Sequence, residues 1–132
     1  MPKTTNEDFE LFKEECWNWI KYFGLIDWEW NFTHDAEIGN HAEYWVDVPN
    51  RACTISYASE YSTEDSIFYT EESIKKAAFH EVCEILLARI ASLISGIAES
   101  DIAEAKHDII RILENTVYKT VYKDVNFTKK GE

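Results

Sequence analysis

The chain has 132 residues, of which 45% are hydrophobic and 14% aromatic, and its 25 acidic against 13 basic residues give a formal net charge of -12. That length fits one domain with one core, and the apolar content excludes a disordered chain. The acidic surplus repels phosphate backbones, so direct nucleic-acid binding is not expected; it suits solubility, or an acidic face for a basic partner that includes mimicry of nucleic acid.

The N-terminal run Met1-Pro2-Lys3-Thr4-Thr5-Asn6-Glu7-Asp8 has no apolar h-region, which argues against a secretory leader. The longest apolar stretch, Ile85 to Ile97, is broken by Arg89, Ser92 and Ser95 and is too short to span a bilayer, so no membrane association is expected. Cys16, Cys53 and Cys83 form neither a paired framework nor a C-x-x-C motif, and read as reduced, buried thiols of a cytoplasmic protein.

From Glu7 to Phe23, Phe9, Phe12, Cys16, Trp19, Ile20 and Phe23 recur at three- and four-residue spacings. This predicts an amphipathic helix with Asn6 as N-cap and Gly24 as stop. The pattern then changes to period two: Trp28, Trp30 and Phe32 alternate with Glu29, Asn31 and Thr33, predicting a half-buried strand. Ala42, Tyr44, Val46 and Val48 predict a second strand, and Pro49-Asn50-Arg51 a turn. Ala52 to Ala58 is a third strand with Cys53, Ile55 and Tyr57 on one face, hairpin-paired with the second.

Ser59 to Tyr69 reads as a polar surface loop. Thr70 then caps a long helix, with Glu71 and Glu72 in the first turn where the macrodipole favours them. Its apolar stripe, centred near Cys83 and Ile90, runs to a break at Gly96. Ser100 or Asp101 caps a last helix carrying Ile102, Ile109, Ile110, Leu113 and Val117, and a polar tail follows Tyr122. The expectation is a single α+β domain over residues 1–132 with an ordered core of about 7–122, in the order α-β-β-β-α-α, its small antiparallel three-stranded sheet packed on helices.

The chemistry-bearing constellation is His80-Glu81-Val82-Cys83-Glu84. Successive helical residues rotate by about 100°, so His80 and Glu84 project from one face a turn apart, with Glu81 a step round. This is the geometry of H-E-x-x-H, whose two His hold zinc while the Glu acts as general base, with Glu84 where the second His would stand. A zinc centre that does chemistry needs three protein ligands and an open position. The last helix offers His107 and Glu114, two turns apart beside its apolar face. The competing reading is a polar clasp between the two helices, with Glu84, His107, Arg111 and Glu114 in one network. His34 and His41 flank a loop with no ligand spacing, and Cys83 reads as a buried thiol.

The arrangement resembles the small minigluzincin-like metallopeptidases of phages and prophages, which are zincin-like. The residues that carry the resemblance are Trp28-Glu29-Trp30, Arg51-Ala52-Cys53-Thr54-Ile55, Phe79-His80-Glu81-Val82-Cys83-Glu84 and His107-Asp108-Ile109-Ile110-Arg111-Ile112-Leu113-Glu114-Asn115. In that family the closing helix supplies a Glu ligand, which falls on His107 here. The exchange of His for Glu at 84 and of Glu for His at 107 would keep a set of two His and one carboxylate.

The resemblance implies a bound zinc held by His80, Glu84 and His107, with Glu81 as general base. Arg111 and Glu114 are then alternate or supporting residues, and Tyr118 a donor to the oxyanion. It also implies a third strand that pairs with an extended peptide substrate, and a bacterial host cytoplasm. The rival expectation is a catalytically inactive acidic binding or inhibitor protein on the same fold, acting on a host or phage partner protein.

Overall fold

A computed structural model of the chain describes residues 3–35, 41–61, 70–94 and 96–123. Helix α1 spans Asn6–Tyr22, strands β1, β2 and β3 span Glu29–Asp35, Ala42–Asp47 and Ala52–Ala58, and helices α2 and α3 span Glu71–Leu93 and Glu99–Leu113. The chain continues from α3 through a π-helical turn, Glu114–Tyr118, into a short helix α4, Lys119–Tyr122. The order is the expected α-β-β-β-α-α.

The sheet departs from expectation in one respect. Its order is β1-β3-β2, with β2 and β3 antiparallel but β1 and β3 parallel. The sheet is therefore mixed rather than antiparallel. Period-two alternation reports which face each residue occupies, not which edge a strand joins or in which direction. The hairpin of β2 and β3 forms as expected, closed at Arg51, whose φ of 50° lies in the left-handed region. Because β3 is the central strand, both its edges are occupied, and it cannot accept a peptide strand as the resemblance implied.

The inward face of the sheet carries Trp30, Ala42, Cys53, Ile55 and Tyr57, which join Phe12, Cys16, Trp19 and Ile20 of α1 and Ile74, Ala78, Phe79, Val82, Cys83 and Ile85 of α2 in one core. Phe12 stacks on Tyr57 with centroids 4.7 Å apart, and Trp19 meets Phe79 edge-on at 4.6 Å. Both helices thus cover the same face of the sheet. All three cysteines are free and buried, as their spacing predicted.

The caps refine several boundaries. Thr5, not Asn6, caps α1 through a capping box with Asp8. The side chain is decisive: Thr5 Oγ1 accepts from the Asp8 N–H while Asp8 reciprocates. Thr70 caps α2 in the same manner with Ser73. Ala98 precedes α3 without a side-chain cap, so Ser100 and Asp101 lie inside that helix. The expected α2 stripe extends too far, since Ile90 and Leu93 are exposed. The core-facing sector of α2 instead takes in Glu81 and Glu84. Most of the expected loop and the polar tail, residues 62–69 and 124–132, lie outside the described residues. No helix among them is long and apolar enough to cross a membrane.

Candidate metal centre

Glu81 and Glu84 are buried by their position on α2. The helix is packed on α1 and the sheet along one side and on α3 along another. Lys75 with Tyr122, Phe79 with Tyr118, and Glu84 with Lys106 meet in descending order, the signature of antiparallel approach. This approach brings His107 over the turn of α2 that carries His80 and Glu84.

The three side chains converge. Glu84 Oε2 lies 3.6 Å from His107 Nε2 and 4.0 Å from His80 Nε2. The two imidazole rings are 5.4 Å apart between centroids. One ligand atom from each of the three can be chosen so that all lie within 4.8 Å of one another. Bonds of about 2.0–2.2 Å to a tetrahedral ion would separate ligands by roughly 3.3–3.6 Å, so the widest edge of the triangle, up to 4.8 Å, would close by about 1 Å on binding. The set His80, Glu84, His107 could hold a metal ion.

The electrostatics favour that use. His80 is held below the ordinary imidazole range, chiefly by burial, with Glu84 and Glu114 pulling the other way. A ligand histidine must be neutral, and this one is biased so. Glu81 is 7% exposed, and one carboxylate oxygen, Oε2, is buried without a hydrogen-bond partner among the described residues. Burial first, then Glu84 and Glu43, push its pKa up to about 8, and Lys106 acts against them. Such a buried carboxyl is costly to the fold; it adjoins His80 in sequence but is not among the three converging residues.

The remaining sequence candidates take other places. Arg111 pairs with Asp108 on its own helix, not with Glu84. Glu114 opens the π turn and acts on His80 through its charge, but it is not among the three converging residues. Tyr118 is 2% exposed and packed against Phe79 and Tyr122, its hydroxyl buried without a hydrogen-bond partner among the described residues. Burial raises its pKa, so the phenol stays protonated within the core. Cys83 is fully buried, and burial pushes its thiol up to about 12, against a role as thiolate ligand. His34 is bound elsewhere, its Nε2 2.6 Å from Thr4 Oγ1 and its ring stacked on Phe9.

Three residues at the site were not anticipated. Lys106 Nζ lies 3.3 Å from Glu84 Oε1, an ion pair whose alignment falls short of a full hydrogen bond. The same Nζ donates to the Tyr44 hydroxyl at 3.0 Å. Glu43 on β2 acts on Glu81 through its charge. Lys106 does adjoin His107 in sequence, but its contact with Tyr44 joins residues 62 positions apart and has no local signature.

A cavity of about 340 Å³ between Asp27, Trp28, Val48, Arg51 and Arg89 includes none of these residues, so the candidate centre rests on side-chain convergence instead. Comparison with protein families, characterised proteins and solved structures returned no match to this chain.

Proposed function

We propose that this protein is a zinc-dependent peptidase of zincin type, with His80, Glu84 and His107 as the ligands and Glu81 as general base. The observation that carries the reading is the arrival of His107 from α3 at the His80–Glu84 pair of α2. Two His and one carboxylate are a donor set that suits zinc and leaves a fourth position open. A zinc ion there would supply Lewis acidity and an activated water. Glu81, one residue from His80, would serve as the base that takes a proton from the attacking water and returns it to the leaving amine. β2, an end strand of the three-stranded sheet, would align an extended peptide by strand addition beside Tyr44.

The resemblance to minigluzincin-like phage metallopeptidases supports the same reading. A zincin-like identity, a phage or prophage origin and action in a bacterial host cytoplasm belong to this proposal. The test is cleavage of unstructured peptides, read by mass spectrometry. Zinc-loaded protein should cut them, whereas chelated protein and Glu81→Gln should not. Equal cleavage by Glu81→Gln would remove Glu81 from the mechanism.

A second reading is supported by one observation: Lys106 already balances Glu84 within the protein. On that reading the cluster is a structural clasp, and an acidic chain of net charge -12 acts as a non-catalytic binding or inhibitor protein. Charge reversal on its surface would then abolish partner binding, and Glu81→Gln would not.

A further inference from the structure

The two oxygens of the Glu84 carboxylate face different partners. Oε2 is the atom near both imidazoles, whereas Oε1 is the atom near Lys106. Lys106 is itself fixed, with a side chain only 12% exposed and a hydrogen bond to the Tyr44 hydroxyl.

We propose that Lys106 is a positioning residue that confines Glu84 to one-oxygen ligation and so keeps a coordination position open, at the expense of ion affinity; this rests on the metal-centre reading above. A carboxylate with both oxygens free can grip a cation with either one or two. Occupying Oε1 with an ammonium leaves Oε2 alone to ligate. The same ammonium withdraws charge from the carboxylate, which preserves the Lewis acidity of the ion despite its anionic ligand.

The sign of the effect separates this role from simple support. Outer-shell groups that prop a ligand are stabilising, and their loss typically weakens metal binding about 10–100-fold. Lys106 carries the same sign of charge as the ion, so its removal should act in the opposite direction. Tyr44 anchors Lys106, and its loss should have a weaker effect of the same sign.

The test is cobalt(II) titration of wild type, Lys106→Met and Tyr44→Phe, with affinity from chelator competition and coordination from the visible absorption bands. Lys106→Met should bind cobalt about tenfold tighter or more, and its bands should weaken as the coordination number rises. Tyr44→Phe should shift both readouts in the same direction by less, and it serves alone if Lys106→Met does not fold by circular dichroism. Weaker binding by the variants, or unchanged affinity and spectrum, would overturn the role of Lys106 while leaving the centre intact. A wild type that takes up no cobalt would overturn the centre and the role of Lys106 together.

Discussion

Glu84 of α2 and His107 of α3 meet with Oε2 and Nε2 3.6 Å apart, although 22 residues and a helix break separate them in the chain. Glu84 is nearly buried, its side chain 9% exposed, because α3 lies across it. The contact ties the helix that carries His80 and Glu84 to the helix that carries His107.

Removing Glu84 would strand Lys106, whose side chain is 12% exposed. An unpaired charge at such a site costs roughly 3 kcal/mol or more, whereas replacing both members with apolar groups is often close to neutral. Glu84→Ala should therefore destabilise the metal-free protein by about that amount, and adding Lys106→Met should restore most of it. Urea denaturation of the two variants provides the comparison. Equal loss in single and double variants would show that the pair carries no coupling.

Glu81 makes stability depend on pH with a defined sign. Its folded pKa of about 8 lies above the ordinary 4.5, so between those values the native state holds a proton that the unfolded chain has released. Stability of the metal-free protein should then fall as pH rises from about 4.5 through about 8, by at most about 5 kcal/mol. Glu81→Gln, neutral throughout, should flatten this slope and melt higher than wild type at pH 9. Melting curves recorded from pH 5 to 9 test it, and parallel curves for the two proteins would refute it.

The thiols give an inexpensive check on the packing. Cys16, Cys53 and Cys83 are each fully buried, and burial raises the pKa of all three, Cys53 and Cys83 to about 12. Native protein at neutral pH should show almost no reaction with a thiol reagent, and three equivalents after unfolding. Rapid modification of one cysteine in the native state would contradict the core described here.

Helix α2 depends on its first turn. Thr70 accepts from the Ser73 N–H at 3.1 Å and Ser73 Oγ accepts from the Thr70 N–H at 2.9 Å. Thr70→Ala should cost about 1 kcal/mol, and Thr70→Asn much less, by thermal denaturation. No difference between the two would mean that the cap is not formed in solution.

Elements with strong local periodicity were legible in the sequence: the α1 stripe, the inward face of β3 and the Thr70 cap all depend on neighbours within a few residues. The parallel pairing of β1 with β3 was not, because alternation carries no information about strand direction. At the site, His80 and Glu84 could be paired from helical spacing alone, whereas the closing helix offered both His107 and Glu114 and only the family resemblance favoured His107. Lys106 could not be assigned a role, since its meaning arises only where α3 crosses both Glu84 and Tyr44. The same spacing overextended the α2 stripe to Ile90 and Leu93, which the surrounding elements leave exposed.

The central claim is that His80, Glu84 and His107 form one metal centre across two helices. Its most direct test is metal content by elemental mass spectrometry on purified protein offered zinc, for wild type, His80→Ala and His107→Ala. The account predicts close to one zinc per wild-type chain and its loss in both variants. A wild type that retains no zinc, or a His107→Ala variant that retains all of it, would contradict the claim.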